Sequence, residues 1–197
     1  MIAIVDYRAG NLASVKKAFD HIGAESVVTS NPEAVKRAEK IVLPGVGHFA
    51  ATCVLSGSGL REAIAQGIDR GVPFLGICVG MQWMLASSAE APGVQGLGIW
   101  PGECERFPAE VKSPHVGWNQ LDVRNGRSRL LNGIPSGAFV YFTHSFRVPL
   151  LEATAAETEY GGRFSSAVER DSLFGVQFHP EKSGVVGLKL LENFCGL

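Results

Sequence analysis

Two short stretches of this chain carry residues that can do chemistry together. The first is Pro73-Phe74-Leu75-Gly76-Ile77-Cys78-Val79-Gly80-Met81-Gln82, an apolar run that ends in a cysteine held between two glycines. A thiol on a sharp strand-to-helix turn is presented as a nucleophile, and glycines two residues to either side remove side chains that would collide with neighbouring backbone. Unpaired N–H groups and the dipole at the start of a helix favour thiolate over thiol, and the same N–H groups can hold an oxyanion. The second stretch is Gly175-Val176-Gln177-Phe178-His179-Pro180-Glu181-Lys182-Ser183. If it stays extended, His179 and Glu181 project to one side while Pro180 restricts the backbone between them. The order Cys…His…Glu then suggests a triad, in which His179 takes the thiol proton of Cys78 and Glu181 orients the imidazole. A lone cysteine on an apolar strand is more often core than nucleophile. The flanking glycines and the downstream His-Pro-Glu turn that balance here.

Periodicity indicates which elements must position these groups. Ile2 to Val5 reads as a buried strand, and Asn11 can cap a helix whose Leu12, Val15, Phe19 and Ile22 recur at helical spacing until Gly23. Ser26 to Thr29 is a second strand, Asn31-Pro32 starts another helix, and Lys40 to Leu43 is a third strand. Leu60, Ile64 and Ile68 mark a helix that leads back to the strand Phe74 to Ile77, after which Met81, Met84 and Leu85 predict a helical stripe. This alternation implies an α/β fold with parallel pairing. Pro44-Gly45-Val46-Gly47-His48-Phe49 follows the third strand, where ligand-contacting loops of an open sheet gather; it reads equally as a backbone cradle or as an ordinary turn. After Glu90, prolines and glycines break the chain into short pieces and the second half looks β-rich. Candidate strands there are Gly98 to Trp100, Cys104 to Phe107, Asn119 to Val123, Phe139 to Phe142, Ser166 to Val168 and Leu173 to Phe178. A hairpin turn is expected at Tyr160 to Arg163, and Gly187, Leu190, Leu191 and Phe194 suggest a closing helix.

Length and composition exclude several function classes. At 197 residues the chain falls in the range of one domain with a sizeable core, so a single domain over 1–197 is expected. Eighteen basic against 19 acidic residues provide no global attraction to nucleic acid or to an anionic membrane. Met1 to Val5 is too short, and too soon followed by Asp6, for a signal sequence, and no apolar run approaches a membrane span. A cytoplasmic protein is expected, although a targeting peptide removed from a precursor would leave no trace. Cys53, Cys78, Cys104 and Cys195 are widely spaced, without a C-x-x-C pair, so neither a disulfide framework nor a metal site is indicated. Cys53, Cys104 and Cys195 read as buried or idle thiols.

Gly76-Ile77-Cys78-Val79-Gly80-Met81-Gln82 with His179-Pro180-Glu181 resembles the class I (triad) glutamine amidotransferases. Four further stretches narrow the resemblance to the glutaminase subunits of imidazole glycerol phosphate synthases, the HisH family. They are Pro44 to Phe49, Pro114-His115-Val116-Gly117-Trp118-Asn119, Tyr141-Phe142-Thr143-His144-Ser145-Phe146 and Phe178 to Ser183. The match runs from Gly10-Asn11 to the last helix, and several separated motifs in one order make coincidence improbable.

What the resemblance implies is a flavodoxin-like α/β domain that hydrolyses glutamine to glutamate and ammonia without a cofactor. Ammonia would pass to a (β/α)8-barrel cyclase subunit, HisF, for imidazole glycerol phosphate formation in histidine biosynthesis. The resemblance makes Pro44, Gly45, Val46 and Gly47 the segment that reorients to complete an oxyanion hole alongside the backbone of Val79. It gives Gln82, His144, Ser145 and Phe146 the amino-acid end of glutamine, and Asn11, Trp118, Tyr141 and Lys182 the cyclase interface. Phe146 stands where tyrosine is common in the family and lacks its hydroxyl. The competing readings are another class I glutaminase, a cysteine peptidase or esterase on a similar sheet, and a non-catalytic binding protein.

Overall fold

The computed structural model describes residues 1–124 and 128–197. Its first half alternates strand and helix: β1 (Ile2–Val5), α1 (Leu12–His21), β2 (Ser26–Thr29), α2 (Pro32–Lys36), β3 (Lys40–Gly45), α3 (Cys53–Gly57), α4 (Leu60–Asp69), β4 (Phe74–Cys78) and α5 (Val79–Gln82). The second half is mostly strand: β5 (Leu85–Ser88), β6 (Trp100–Arg106), β7 (His115–Gln120), β8 (Asp122–Val123), β9 (Phe139–His144), β10 (Phe146–Arg147), β11 (Thr154–Glu159), β12 (Arg163–Arg170) and β13 (Leu173–Val176). A 3-10 turn, Pro180–Lys182, and helix α6 (Gly184–Cys195) close the chain.

The main sheet has the order β2-β1-β3-β4-β13-β12-β11-β8. Its first five strands run parallel and the last three antiparallel. β1 and β4 are buried along their whole length, as a parallel strand covered on both faces must be, which is why they read as unbroken apolar runs. β13 comes from the far end of the chain and pairs with β4 in register Val176↔Ile77. That one pairing carries the His179 segment to the end of the strand that delivers Cys78. A β10-β6-β5 sheet and a β7-β9 ribbon stand beside the main sheet. The ribbon is anchored by a cluster of aromatic rings: Phe142 packs edge-on to Phe164 and Phe178, and His115 stacks on Tyr160 at 4.0 Å. Each fully buried phenylalanine in such a cluster contributes roughly 1.5–3 kcal/mol.

Several sequence expectations need correction. The stripe Met81, Met84, Leu85 is not one helix: α5 ends at Gln82, and Leu85 opens a strand that pairs with Trp100 of β6. All three side chains are fully buried, and an apolar spacing alone does not separate helix from strand there. Gly98 to Trp100 and Cys104 to Phe107 are not two strands, because β6 is continuous from Trp100 to Arg106. Asn119 to Val123 divides at Leu121 into β7 and β8. β11 is absent from the sequence reading, and the expected Ser166 to Val168 strand extends to eight residues. The hairpin turn at Tyr160 to Arg163 is present, with Glu159 opposite Arg163. Asn31 caps α2 by accepting from the Glu33 N–H at 2.9 Å, whereas the Asn11 side chain makes no cap and only its carbonyl enters α1.

Candidate active site

Cys78 ends β4 at φ 53° and ψ −108°, a conformation that non-glycine residues rarely occupy and that surrounding structure must enforce. The enforcement comes from the glycines. A β-carbon on Gly76 would stand 2.6 Å from the Gly80 carbonyl, and one on Gly80 would overlap the Leu43 carbonyl oxygen of β3. The chain can therefore double back at Cys78 only if both flanking side chains are absent. Gly45 is under the same demand, since a β-carbon there would meet the Tyr7 hydroxyl at 2.6 Å and the Val79 side chain at 2.7 Å. The helix that follows has only four residues, so it sums few peptide dipoles; what it offers the sulfur is the free N–H groups of its first turn.

The structure brings Cys78, His179 and Glu181 together, but not through an extended backbone. His179 is extended at φ −101°, and Pro180 then starts the 3-10 turn, closed by the Lys182 N–H donating to the His179 carbonyl at 3.0 Å. The turn shortens the chain and folds Glu181 back beneath the ring, where His179 Nδ1 and Glu181 Oε1 lie 2.9 Å apart. The His179 N–H donates to the Tyr141 carbonyl at 2.9 Å, and Ser183 Oγ donates to the His179 carbonyl at 2.7 Å, tying the turn to β9. Burial alone would push the His179 ring down. Contact with Cys78 and Glu181, and the negative charge of both, outweighs it and raises the ring to about 10. Nε2 is buried with no fully formed hydrogen bond, which leaves it open to the sulfur and to a reacting group.

A cavity of about 30 Å³ opens on Cys78, lined by Gly47, Val79, Gln82, Glu90 and the segment 143–146. That volume holds about one water and no glutamine. Gln82 and the segment His144-Ser145-Phe146 meet here, and Gln82 donates through its nitrogen to the Phe146 carbonyl at 2.8 Å and to Gln177 Oε1 at 3.1 Å. Only its oxygen remains for a ligand. Phe146 takes part through its backbone carbonyl, which also accepts from His144 Nδ1 at 2.8 Å. His144 Nε2 faces His115 Nδ1 at 3.1 Å, and burial drives both rings down, to about 3 and about 4, so both are neutral.

Gly47 lines the cavity at φ 97°, while Pro44 and Gly45 are buried in β3 and Val46 is half-buried. Trp118 and Tyr141 pair edge to face at 6.0 Å across the β7-β9 ribbon, and Lys182 lies over the Tyr141 ring at 5.5 Å. Asn11 stands at the start of α1, as its N-cap residue. Two residues escaped the sequence reading. Glu90 lines the cavity and accepts from the Phe49 N–H at 2.7 Å, with no motif around it to single it out. Gln177 is fully buried beside Cys78, and its signal was present: a polar side chain in an apolar strand, two residues before His179 and so on the same side. Of the three thiols read as buried or idle, Cys104 is buried and pushed up by that burial, Cys195 is half-buried and Cys53 is exposed.

The family model described as "Glutamine amidotransferase class-I" matches residues 3–196. The chain belongs to this family. A 47% identical relative from Methanothermobacter thermautotrophicus, covered over 98% of this chain and 97% of its own length, is named imidazole glycerol phosphate synthase subunit HisH. Relatives of the same name from Moorella thermoacetica and Methanocaldococcus jannaschii are 48% and 42% identical; they cover 98% and 100% of this chain and 93% and 100% of their own lengths. Among solved structures, a glutamine amidotransferase superposes with a TM-score of 0.77 at 19% identity over all of both chains. Thermotoga maritima PurLQS gives 0.74 at 20% identity over 99% of this chain and 97% of its own. At these identities the structures show that this amidotransferase adopts the family's α/β fold.

Proposed function

We propose that this amidotransferase is the glutaminase subunit of imidazole glycerol phosphate synthase, a single domain over 1–197. It hydrolyses L-glutamine and delivers ammonia to a HisF cyclase for imidazole glycerol phosphate and AICAR formation in histidine biosynthesis. The observation that carries the chemistry is the juxtaposition, from opposite halves of the chain, of the Cys78 elbow with the buried His179–Glu181 pair.

His179 Nε2 takes the Cys78 proton and the thiolate attacks the side-chain carboxamide carbon. Negative charge moves to the carboxamide oxygen, where the Val79 N–H and the Val46-Gly47 backbone receive it. Gly47, at positive φ and exposed, is the point at which that loop can turn. The imidazolium returns its proton to the departing nitrogen, giving ammonia and a thioester. The same ring then takes a proton from water, hydroxide adds to the thioester, and glutamate leaves as the Cys78 sulfur recovers its proton. Glu181 holds the ring and compensates its charge in both halves. Gln82 through its oxygen, the 144–146 backbone and Glu90 through its carboxylate fit the two charged groups at the amino-acid end of glutamine.

Because the cavity here is far smaller than glutamine, turnover requires the cleft to open, and docking of the cyclase on the Trp118–Tyr141–Lys182 face supplies the coupling. Four unpaired cysteines suit the reducing cytoplasm, where this biosynthesis belongs. The test is glutamate release by the purified chain alone and with cyclase and its nucleotide ligand. Release is expected to be slow alone and to rise on assembly. Cys78→Ala is expected to abolish glutamine-dependent synthesis and to spare ammonia-dependent synthesis by the complex; loss of both, or of neither, overturns the reading.

A further inference from the structure

Gln177 has no part in the triad, yet it is fully buried and in contact with the reacting atom. Its backbone N–H donates to the Ser166 carbonyl of β12 at 2.9 Å, which fixes the residue just beyond β13. Its side-chain nitrogen lies 3.6 Å from Cys78 Sγ, within hydrogen-bond reach of a sulfur acceptor.

Which end of that amide faces the sulfur follows from a chain of groups with no freedom to reverse. The Phe146 carbonyl can only accept, so the atom of Gln82 that approaches it at 2.8 Å is the nitrogen. The same nitrogen can only donate, so the atom of Gln177 that meets it at 3.1 Å is the oxygen. The remaining end of Gln177, turned to Sγ, is therefore an N–H donor. A second neighbour, the Thr143 carbonyl, lies 4.0 Å from Sγ and can only accept. The two sort the protonation states of the sulfur: Thr143 receives an S–H, and Gln177 satisfies a thiolate.

We propose that Gln177 is a catalytic residue, whose side-chain N–H holds the Cys78 thiolate before attack and receives it again when the thioester breaks down. This role rests on the glutaminase reading above. No proton leaves Gln177 in either step; the thiol proton goes to His179, and the amide stabilises the charge left behind. The donation is charge-assisted when the sulfur is anionic and weak when it is acylated. The other ionisable groups around the sulfur are His179 and Glu181 from the 3-10 turn, Tyr7 from the end of β1, His144 from β9 and Glu90 from the segment after β5. Of these neighbours, Gln177 is the one whose N–H lies within hydrogen-bond distance of Sγ, and His179 accepts the proton.

The test compares wild type with Gln177→Met, which keeps the length of the side chain and removes the N–H without adding charge, in the complex with cyclase. Alkylation of Cys78 by iodoacetamide, resolved from Cys53, Cys104 and Cys195 by peptide mass spectrometry, is followed against pH. The half-maximal pH is expected to move up by a unit or more, and kcat for glutamine to fall tenfold to a hundredfold, as for loss of a hydrogen bond to a charged group. KM for glutamine is expected to stay within about threefold. An unmoved alkylation profile overturns the assignment, as does a raised KM with kcat retained, which would make Gln177 a prop for Gln82. Ammonia-dependent synthesis reports that the variant has folded and assembled. Should it not fold, the wild-type chain still decides: the Gln177 side-chain amide signals in ¹⁵N–¹H spectra are expected to shift on alkylation of Cys78 and to lose their pH response in Cys78→Ser. Amide signals indifferent to the sulfur overturn the proposal. Neither the alkylation nor the spectral readout requires glutamine turnover, so failure of the glutaminase reading itself would be seen separately.

Discussion

His179 Nδ1 and Glu181 Oε1 are 2.9 Å apart, although the residue between them is a proline that begins a 3-10 turn, and each side chain is only 1% exposed. The carboxylate oxygen turned away from the ring has no hydrogen-bond partner among the described residues, so the imidazole is its principal ligand. Glu181→Gln keeps the shape and removes the charge. Glutamine hydrolysis in the complex is expected to fall roughly a hundredfold or more, as for removal of support from a positioned acid–base group. The His179 titration, followed by NMR, is expected to move down from about 10, because one of the two charges raising it is gone. A titration that stays in place would mean that Cys78 alone sets the ring.

Gly80 packs directly against the backbone of β3, and a methyl group there has no space short of the Leu43 carbonyl oxygen. Gly80→Ala must push α5 away from β3, and the Cys78 turn with it. A loss of about 1–3 kcal/mol is expected from overpacking, read as a lower urea midpoint with an unchanged slope. Gly57→Ala, in the last turn of α3 where a β-carbon meets nothing within 4 Å, is the control and is expected to cost nothing measurable. Equal effects of the two would remove the steric account of the elbow.

The buried histidines act on stability in opposite pH windows. Burial depresses His115 to about 4 and His144 to about 3, below the ordinary value near 6.5. The unfolded chain therefore binds more protons there, and their contribution is complete above pH 6.5 and is lost as pH falls toward 4 and 3. His179 is raised to about 10, so its contribution is complete below 6.5 and is lost as pH rises through 10. The unfolding free energy, taken from urea titrations, is expected to peak near neutrality and to drop by the order of a few kcal/mol between pH 6.5 and 4. His115→Phe, which preserves a ring against Tyr160 and cannot ionise, is expected to flatten the acid limb; an unchanged limb would point to other groups.

How legible this was in the sequence depended on whether a constraint was local. The Cys78 elbow could be read because its glycines answer to backbone within a few residues or on the adjacent strand, and the parallel half could be read because strands buried on both faces leave unbroken apolar runs. Asn11 shows the limit of a cap signal, since a residue of the right type at the right place uses only its carbonyl. β11, with the composition Thr-Ala-Ala-Glu-Thr-Glu, is held by its pairing with β12 and β8 rather than by its own propensity. Leu85 reads as helix or strand until Trp100, fifteen residues on, pairs with it. Glu90 reaches the cavity through tertiary packing, and no spacing rule records that.

Trp118 is 56% exposed, and Val116 and Phe139 are nearly as open, on one face of the β7-β9 ribbon. Large apolar side chains gathered in this way on an antiparallel pair mark a contact surface. The neighbouring Tyr141 already anchors the 3-10 turn, because its carbonyl accepts from the His179 N–H and its N–H donates to Ser183 Oγ at 3.0 Å. A partner that buries Trp118 therefore presses on a strand bonded directly to His179. Trp118→Ala is expected to weaken binding of the cyclase tenfold to a hundredfold, the range for loss of a central aromatic anchor, measured by titration calorimetry. At saturating cyclase, glutamate release by the variant is expected to recover only in part, since the edge contact with Tyr141 at 6.0 Å is also lost. Full recovery at saturation would confine Trp118 to affinity, and unchanged affinity would place the cyclase on another face.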